Sequence, residues 1–311
     1  MYELIGAEVA QPVGSAAGAL VDAIVRRHGG AVDAVLFYGS CLRRGDPTAA
    51  EDPVFDFYVL VDDYRRMYKG RLAAFANALL PPNVFYLETP WRDRTLRSKY
   101  AVVALPQFRR AISPRAAHSY FWARFAQPVR LAHVRDERTR AAVVDALAEA
   151  VSTLARHTVG LLKDGFSSAE LWTCAFRATY GAELRAERSD RADLIYQADR
   201  ERYDRLAAVA LQVAGIEVQT TADKHLSVAL PAPARRRSAA AWRRRRVLGK
   251  VLSVLRLAKA AFTFDGGVDY ILWKIERHSG VRAMATPWQR RHPLLAAPGL
   301  AWRLYRRGAF R

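Results

Sequence analysis

The chain has 311 residues, 51% of them hydrophobic, and 49 Lys and Arg residues against 30 Asp and Glu, which gives a formal net charge of +19. This length and apolar content exclude a disordered polypeptide and predict a globular protein of two domains, with room for a tail. The positive charge favours an anionic partner, either nucleic acid or the surface of an acidic membrane.

Alternating helices and strands are predicted for the first third of the chain. Apolar residues recur on one face of a helix over residues 15–28, and a second helical pattern covers Arg65–Leu80 and stops at Pro81. Turn-forming residues predict a loop over residues 45–53. The predicted strands are Val32–Tyr38, Val54–Val61, Val84–Leu87 and Tyr100–Leu105. The expected α+β fold is a mixed sheet of about four strands flanked by helices, within residues 1–112.

From Ser113 onward the pattern becomes almost wholly helical. The predicted helices are 113–126, 137–162, 167–187 and 189–213. Serines stand near the starts of several of them, where a side-chain oxygen can accept a hydrogen bond from the first helical turn. The segment 214–237 is polar, contains Pro231 and Pro233, and predicts a linker. We expect residues 113–234 to form a helical second domain that acts as a lid or binds substrate.

The C-terminal residues, 235–311, combine runs of arginine with apolar residues at helical spacing. Val247, Val251, Val254 and Leu255 recur along one helical face. Basic residues interleaved with apolar and aromatic ones are typical of a helix that lies on an anionic membrane surface. The residues predicted to contact the membrane are Arg243, Arg244, Arg245, Lys250, Lys259, Phe262 and Trp273. The alternative is a helix packed into the core, followed by a basic tail.

The sequence also predicts where the protein acts. It contains no run of about 18 uncharged apolar residues, which a membrane-spanning helix needs. Glu3 and Glu8 near the start, with no Arg before Arg26, argue against a signal or transit peptide. Two cysteines, Cys41 and Cys174, are too few for a disulfide framework and indicate a reducing compartment. We expect a cytoplasmic protein, peripheral on the inner face of the membrane.

A short motif predicts a site for a nucleoside triphosphate. Phe37–Ser40, with the sequence Phe-Tyr-Gly-Ser, ends the first strand in a turn, and the second strand contains Asp56 near its start. Gly39 lets the backbone approach a phosphate closely, while Tyr38 and Ser40 flank it and the Ser40 hydroxyl can bind the phosphate. The Asp56 carboxylate can hold Mg²⁺. The alternative is a plain strand and turn with an ordinary surface Asp.

Six segments of the chain follow one another in the order found in one protein family. They are Phe37–Ser40, Asp56–Asp63, Lys99–Val103, Trp122–Val129, Tyr180–Arg185 and Lys259–Thr263. Through them the chain resembles the peripheral phosphatidate cytidylyltransferases, the mitochondrial translocator assembly and maintenance proteins, from about Val32 to Gly280. It departs from the family in having Ala101 and Ala123 in place of Gly, and Glu183 in place of Asp.

The resemblance implies a nucleotidyltransferase-like fold and the transfer of CMP from CTP to phosphatidic acid. It implies Mg²⁺ as cofactor and an anionic membrane surface as partner. Lys99 stands where the family has a Lys and can bind the triphosphate as a point charge, and Arg124 can clamp a phosphate or stack on cytosine. With Asp56, these two residues are the expected catalytic set. The alternatives are a solvated Lys99 at a strand end and an Arg124 that pairs with a structural acid.

The sequence does not specify a second carboxylate for the Mg²⁺ ion. Most nucleotidyltransferases carry two carboxylates on the acidic strand, but this chain has Tyr58 in the second place. Asp62 shares the face of Asp56 but lies about 20 Å along an extended strand, so Asp62 and Asp63 are expected to begin a loop or cap a helix. Glu88 supplies the missing ligand if the third strand lies beside the second, and Glu183 is the other candidate.

Two other functions remain open from the sequence. The charge would also suit a nucleic-acid-binding protein on the same scaffold. The sequence contains no RNA- or DNA-binding motif, so nucleic acid is not the expected partner. Tyr58 in place of a second carboxylate would suit a catalytically inactive protein.

Overall fold

The computed structural model describes most of the chain and confirms the expected fold class. The described residues are 1–43, 53–68, 70–183, 190–221, 225–263, 268–269, 271–272, 275–276, 281 and 283–307. Residues 45–52 of the predicted loop lie outside them, as do Arg185 and Trp273. Within the described residues, a mixed sheet of five strands is flanked by helices and followed by further helices.

The sheet combines parallel and antiparallel pairs. Its strands are Val32–Tyr38 (β1), Val54–Val61 (β2), Asn83–Trp91 (β3), Arg94–Ala104 (β4) and Val129–Val134 (β5). Their order is β3-β4-β2-β1-β5, with β2 and β4 parallel and the other neighbours antiparallel. The bounds of β1 and β2 agree with the predicted strands, and β3 and β4 are longer than predicted. The sequence does not predict β5, because this edge strand buries only Val129 and lacks apolar alternation.

Helices cover both faces of the sheet. Those of the first part are Tyr2–Val9 (α1), Ser15–His28 (α2), Ser40–Arg43 (α3), Tyr64–Met67 (α4), Arg71–Leu79 (α5) and Leu105–Ile112 (α6). The later ones are Trp122–Phe125 (α7), Glu137–Val159 (α8), Ser168–Tyr180 (α9), Arg191–Ala198 (α10), Arg200–Val213 (α11), Ala232–Thr263 (α12), Pro287–Arg291 (α13) and Pro293–Arg306 (α14). The predicted helix 15–28 is confirmed as α2. The predicted helix Arg65–Leu80 is instead two helices: α4 ends at Met67, and α5 begins after its N-cap, Gly70.

The two faces of the sheet pack into separate hydrophobic clusters. Side chains alternate along a strand, so Phe57 and Val102 face α2 and its neighbours. Leu36 and Tyr58 face the opposite way, into a cluster shared with α8, α9 and α11. The predicted domain boundary at residue 112 therefore lies within a shared core, and the later helices pack directly on the sheet.

The helix α12 begins inside the predicted linker and packs on the same core. Trp242 is 3% exposed, and its Nε1 donates to the carbonyl oxygen of His157 at 2.7 Å. Gly249 lies so close to the chain after α9 that an added Cβ would stand 2.3 Å from the carbonyl oxygen of Ala182. The predicted boundary at residue 234 falls in the first turn of α12, and Trp242 in the N-terminal half of that helix packs in the core.

Arg245 is buried, so the prediction that it contacts a membrane is wrong. The residue is 5% exposed, and its guanidinium lies 5.0 Å from the ring centre of Trp122 and 5.6 Å from that of Trp242. It also donates to Nδ1 of His157 at 3.3 Å. Aromatic faces attract a cation. Because Arg245 follows the buried Trp242 by three residues, the helix turns it inward while its neighbours in the arginine run face solvent.

The environment of His157 is expected to make the protein less stable in mild acid. Its Nε2–H donates to the carbonyl of Pro114 at 3.0 Å and its Nδ1 accepts from Arg245, so both ring nitrogens are used by the neutral imidazole. Burial and the adjacent Arg245 lower the pKa of His157 from 6.5 to about 4. The unfolded chain therefore takes up this proton first, and the stability that His157 contributes above pH 6.5 is lost as the pH falls toward 4.

A comparison of urea unfolding at pH 7 and pH 5 checks this expectation. Between these values His157→Gln should lose about 1–2 kcal/mol less stability than the wild type, even though its stability at pH 7 is lower. Equal losses in the two proteins would show that His157 does not titrate as its surroundings indicate.

Candidate functional site

Four side chains form a row across the sheet at the end of β1. In the strand register Tyr38 lies opposite Asp56, Asp56 opposite Lys99, and Lys99 opposite Tyr86. Paired residues of neighbouring strands place their side chains on the same face. Lys99 Nζ lies 3.8 Å from Oδ1 of Asp56, and the two side chains are 31% and 30% exposed. The structure therefore brings together three of the predicted site residues at a position that solvent reaches.

The backbone at Gly39 is suited to close approach of the Asp56 carboxylate. Gly39 has a φ of +90°, a conformation that residues with side chains rarely adopt. A Cβ added at this position would stand 3.2 Å from Oδ2 of Asp56. Ser40 follows as the first residue of α3. The Gly39–Ser40 turn and the Asp56 carboxylate are therefore neighbours in the structure.

Tyr58 is a buried side chain that packs against Tyr38, the first residue of this row. It is 1% exposed, and its ring centre lies 4.9 Å from that of Phe125 and 5.2 Å from that of Tyr38. Burial raises the pKa of the Tyr58 hydroxyl well above its ordinary value, so the phenol stays protonated. The position at which a second carboxylate is expected on the acidic strand is therefore a neutral part of the core.

Glu88 does not reach the space beside Asp56. The prediction for Glu88 requires β3 to lie beside β2, but β4 lies between them. The Glu88 carboxylate pairs with Nε of Arg97 at 3.1 Å and accepts from the hydroxyl of Tyr86 at 2.8 Å. The condition for Glu88 to share a Mg²⁺ ion with Asp56 is not met. The reason is the strand order, which arises from contacts distant in sequence.

Glu183 and Arg124 pair with each other in the interior. The Arg124 guanidinium donates to both carboxylate oxygens of Glu183, at 2.9 and 3.3 Å, and the side chains are 6% and 7% exposed. Arg124 also donates to the carbonyl oxygen of Tyr120 at 2.6 Å. Burial lowers the pKa of Arg124, but Glu183 and nearby tyrosines together raise it above its ordinary value, so the guanidinium stays charged. This geometry agrees with the alternative that Arg124 holds a structural acid, and a metal role for Glu183 would require the pair to open.

Asp56 is the carboxylate that lies beside the turn. Asp62, at the far end of β2, pairs with Arg66 and lies 3.8 Å from Arg135. Asp63 caps α4 by accepting a backbone N–H of its first turn, which agrees with the predicted cap. Across the described ranges, no group of three or more His, Cys, Asp or Glu side chains is arranged to hold a metal ion.

The helix α12 contributes two cations, Arg256 and Lys259, that contact the chain around Pro81. The Arg256 guanidinium lies 4.0 Å from the ring centre of Tyr120, and its Nε donates to the carbonyl of Pro81 at 2.9 Å. Lys259 Nζ donates to the carbonyl oxygens of the residues on either side of Pro81, and burial lowers the pKa of Lys259 to about 8. The Lys259 ammonium thus lies against the protein, which corrects the membrane contact predicted for it. Both cations lie on the same face of α12 as the buried Trp242, because successive intervals of three and four residues connect the three positions. This spacing in the sequence could have identified them as residues that face the protein.

The remaining residues predicted to contact a membrane are exposed where the structure describes them. Arg243, Arg244 and Lys250 lie on the exposed side of α12. Phe262 belongs to α12, but its side chain and Trp273 lie outside the part of the chain that the structure describes. None of the helices within the described residues is long and apolar enough to cross a membrane.

No protein-family model matches the chain, and no curated protein matches it. The family resemblance therefore rests on the six segments alone and stays a prediction.

Proposed function

We propose that this protein transfers CMP from CTP to phosphatidic acid, forming CDP-diacylglycerol and releasing pyrophosphate. The observation that supports this most directly is the close approach of the Gly39 backbone to the Asp56 carboxylate, where an added Cβ would stand 3.2 Å from Oδ2. A glycine turn at the end of a strand, beside a carboxylate, suits the binding of a nucleotide phosphate and its Mg²⁺ ion. The choice of CTP and phosphatidic acid rests on the resemblance of the six segments.

The residues around the turn fit a Mg²⁺ ion that is shared with a nucleotide. Mg²⁺ prefers oxygen ligands and is commonly held by one or two carboxylates together with substrate phosphates and water. Asp56 would supply the carboxylate, and the space that a Cβ at Gly39 would fill lies beside its Oδ2. When bound, the ion would neutralise negative charge on the phosphates.

Lys99 is placed to act on the same phosphates. The reaction forms a bond between a phosphate oxygen of phosphatidic acid and the α-phosphorus of CTP, and it breaks the bond from that phosphorus to the pyrophosphate oxygen. The attacking oxygen is already anionic at neutral pH, so the protein has to align the reactants and stabilise the charge on the leaving pyrophosphate. The Lys99 ammonium, 3.8 Å from Asp56, can supply part of that stabilisation.

The outer side of α12 suits contact with the membrane that holds the lipid substrate. Val247, Val251, Val254 and Leu255 are between 49% and 66% exposed. Exposed basic residues lie beside them on the helix, namely Arg243, Arg244 and Lys250. Apolar burial combined with attraction to anionic lipid is how interfacial helices bind. We therefore place the protein in the cytoplasm, peripheral on the inner face of the membrane, as part of this proposal.

Incubation with each labelled nucleoside triphosphate, Mg²⁺ and phosphatidic acid vesicles tests the proposal. Labelled lipid is expected with CTP and at most weakly with the other three nucleotides. The same protein preparation should be tested for retention of RNA and DNA on a filter. Retention of nucleic acid without lipid product would favour the nucleic-acid-binding alternative, and folded protein that neither forms product nor retains nucleic acid would favour an inactive scaffold.

A further inference from the structure

A second helix also exposes a stripe of large apolar side chains. On α5, Leu72 is 80% exposed, Phe75 64% and Leu79 73%. Spacings of three and four residues place them on one side of the helix. Such a contiguous exposed stripe is unusual on a protein surface and marks an interaction site.

The orientation of α5 is set by contacts on its opposite side. Asn77 is fully buried, and its Nδ2 donates to the carbonyl oxygen of Val102 at 3.1 Å and to the hydroxyl of Tyr68 at 3.0 Å. Ala74 packs in the cluster on that face of the sheet. Because a buried amide with specific partners fixes the rotation of the helix, the apolar stripe faces outward as part of the fold.

The surroundings of the stripe are basic. Residues 64–87 contain Arg65, Arg66, Lys69 and Arg71, and no Asp or Glu. The side chains of Arg65 and Arg71 are exposed beside α5. A second copy of this chain, with its own net charge of +19, would meet these residues with like charge, whereas an anionic surface would complement them.

The segment that follows the α5 stripe contacts α12. The segment that follows Leu79 is held by α12, since Lys259 donates to the carbonyl oxygens of Leu80 and Pro82 and Arg256 donates to that of Pro81. These three contacts join the end of α5 to the part of α12 that carries the exposed Val254 and Leu255.

We propose that the α5 stripe is a second membrane-docking surface, which binds an anionic phospholipid bilayer together with the outer side of α12. Leu72, Phe75 and Leu79 enter the interface while Arg65 and Arg71 contact lipid head groups. Two contacts on different helices would fix the orientation of the protein on the bilayer as well as its affinity. This inference rests on the proposed membrane location but not on nucleotidyl transfer.

A fluorescent probe on α5 tests the contact directly. Phe75→Cys, in a chain with Cys174→Ser, is labelled with an environment-sensitive nitrobenzoxadiazole group and mixed with vesicles of phosphatidylcholine and phosphatidylglycerol, without nucleotide or phosphatidic acid. A blue shift and a rise in emission are expected. Leu194→Cys in the same background is the matched control, because Leu194 is a 55% exposed residue on α10, and its probe should not respond. No response at position 75, whether or not the protein binds the vesicles, would overturn the proposal.

Substitution of the stripe provides a second test. Leu72→Ser, Phe75→Ser and Leu79→Ser combined should lower the partition coefficient on the same vesicles by about tenfold or more, and Leu194→Ser by no more than about twofold. Because all three positions are exposed, the melting temperature of the triple variant should equal that of the wild type. Unchanged partitioning of the triple variant would contradict the proposal. So would a wild-type dimer that the triple variant converts to a monomer without lipid, because the stripe would then be an interface between copies.

Discussion

Asp56→Asn is expected to lower the rate of CMP transfer by about 10³-fold or more while leaving the fold intact. The carboxylate would lose the charge that holds Mg²⁺ beside the Gly39–Ser40 turn, and the amide that replaces it has nearly the same volume. The ion pair with Lys99 is about one-third exposed, and pairs of this kind contribute about 0–1 kcal/mol to stability. Turnover of CTP on phosphatidic acid vesicles, with circular dichroism as the check on folding, measures both effects.

Asp62→Asn is the matched control for this variant. Asp62 lies just beyond β2, has a side chain 31% exposed against 30% for Asp56, and is likewise ion-paired. It follows the last residue of β2, at the opposite end of the strand from Asp56, and it pairs with Arg66 there. The rate of the variant should therefore stay within about twofold of the wild type. If both variants are fully active, the metal role of Asp56 is wrong. If both are inactive, the loss comes from the surface charge of the strand and not from the site.

Arg124→Gln is expected to cost about 3–5 kcal/mol of unfolding free energy. The substitution leaves the Glu183 carboxylate, which is 7% exposed, without the guanidinium that donates to both its oxygens. The double variant Arg124→Gln, Glu183→Gln removes the uncompensated charge and should recover part of the loss. Urea unfolding of the wild type, both single variants and the double variant gives the coupling energy between the two residues.

The same set of variants distinguishes a structural pair from the predicted metal role of Glu183. If the pair is structural, the activity of Glu183→Gln should fall only as far as its folded fraction falls. A stable Glu183→Gln protein with no turnover would show instead that this carboxylate acts in the reaction. Additive effects of the two substitutions would contradict the buried pair as the source of the stability.

Local signals in the sequence account for the parts of the fold that were predicted correctly. β1 and β2 are apolar runs bounded by turn residues, and the Gly-Ser turn after β1 has a φ that favours glycine. These features depend on neighbours in the chain, so a single sequence contains them. The proximity of Tyr38 and Asp56 follows from the antiparallel pairing of β1 with β2, the next strand in the chain.

The features that the sequence interpretation missed depend on contacts between distant residues. The order of the strands places β4 and not β3 beside β2, which removes Glu88 from the site and puts Lys99 opposite Asp56. The Arg124–Glu183 pair joins residues 59 apart in the chain. Arg245 is one of four consecutive arginines, and its burial depends on packing against Trp122 and His157, which are distant from it in the chain.

Transfer of label from CTP tests the central proposal most directly. The protein is incubated with Mg²⁺, phosphatidic acid vesicles and CTP labelled on either the α- or the γ-phosphorus. Nucleotidyl transfer predicts that the α-label enters the chloroform-soluble lipid while the γ-label is released as pyrophosphate, in equal amounts, and that Asp56→Asn abolishes both. Folded, vesicle-bound protein that leaves the α-label in the aqueous phase would contradict the proposed function.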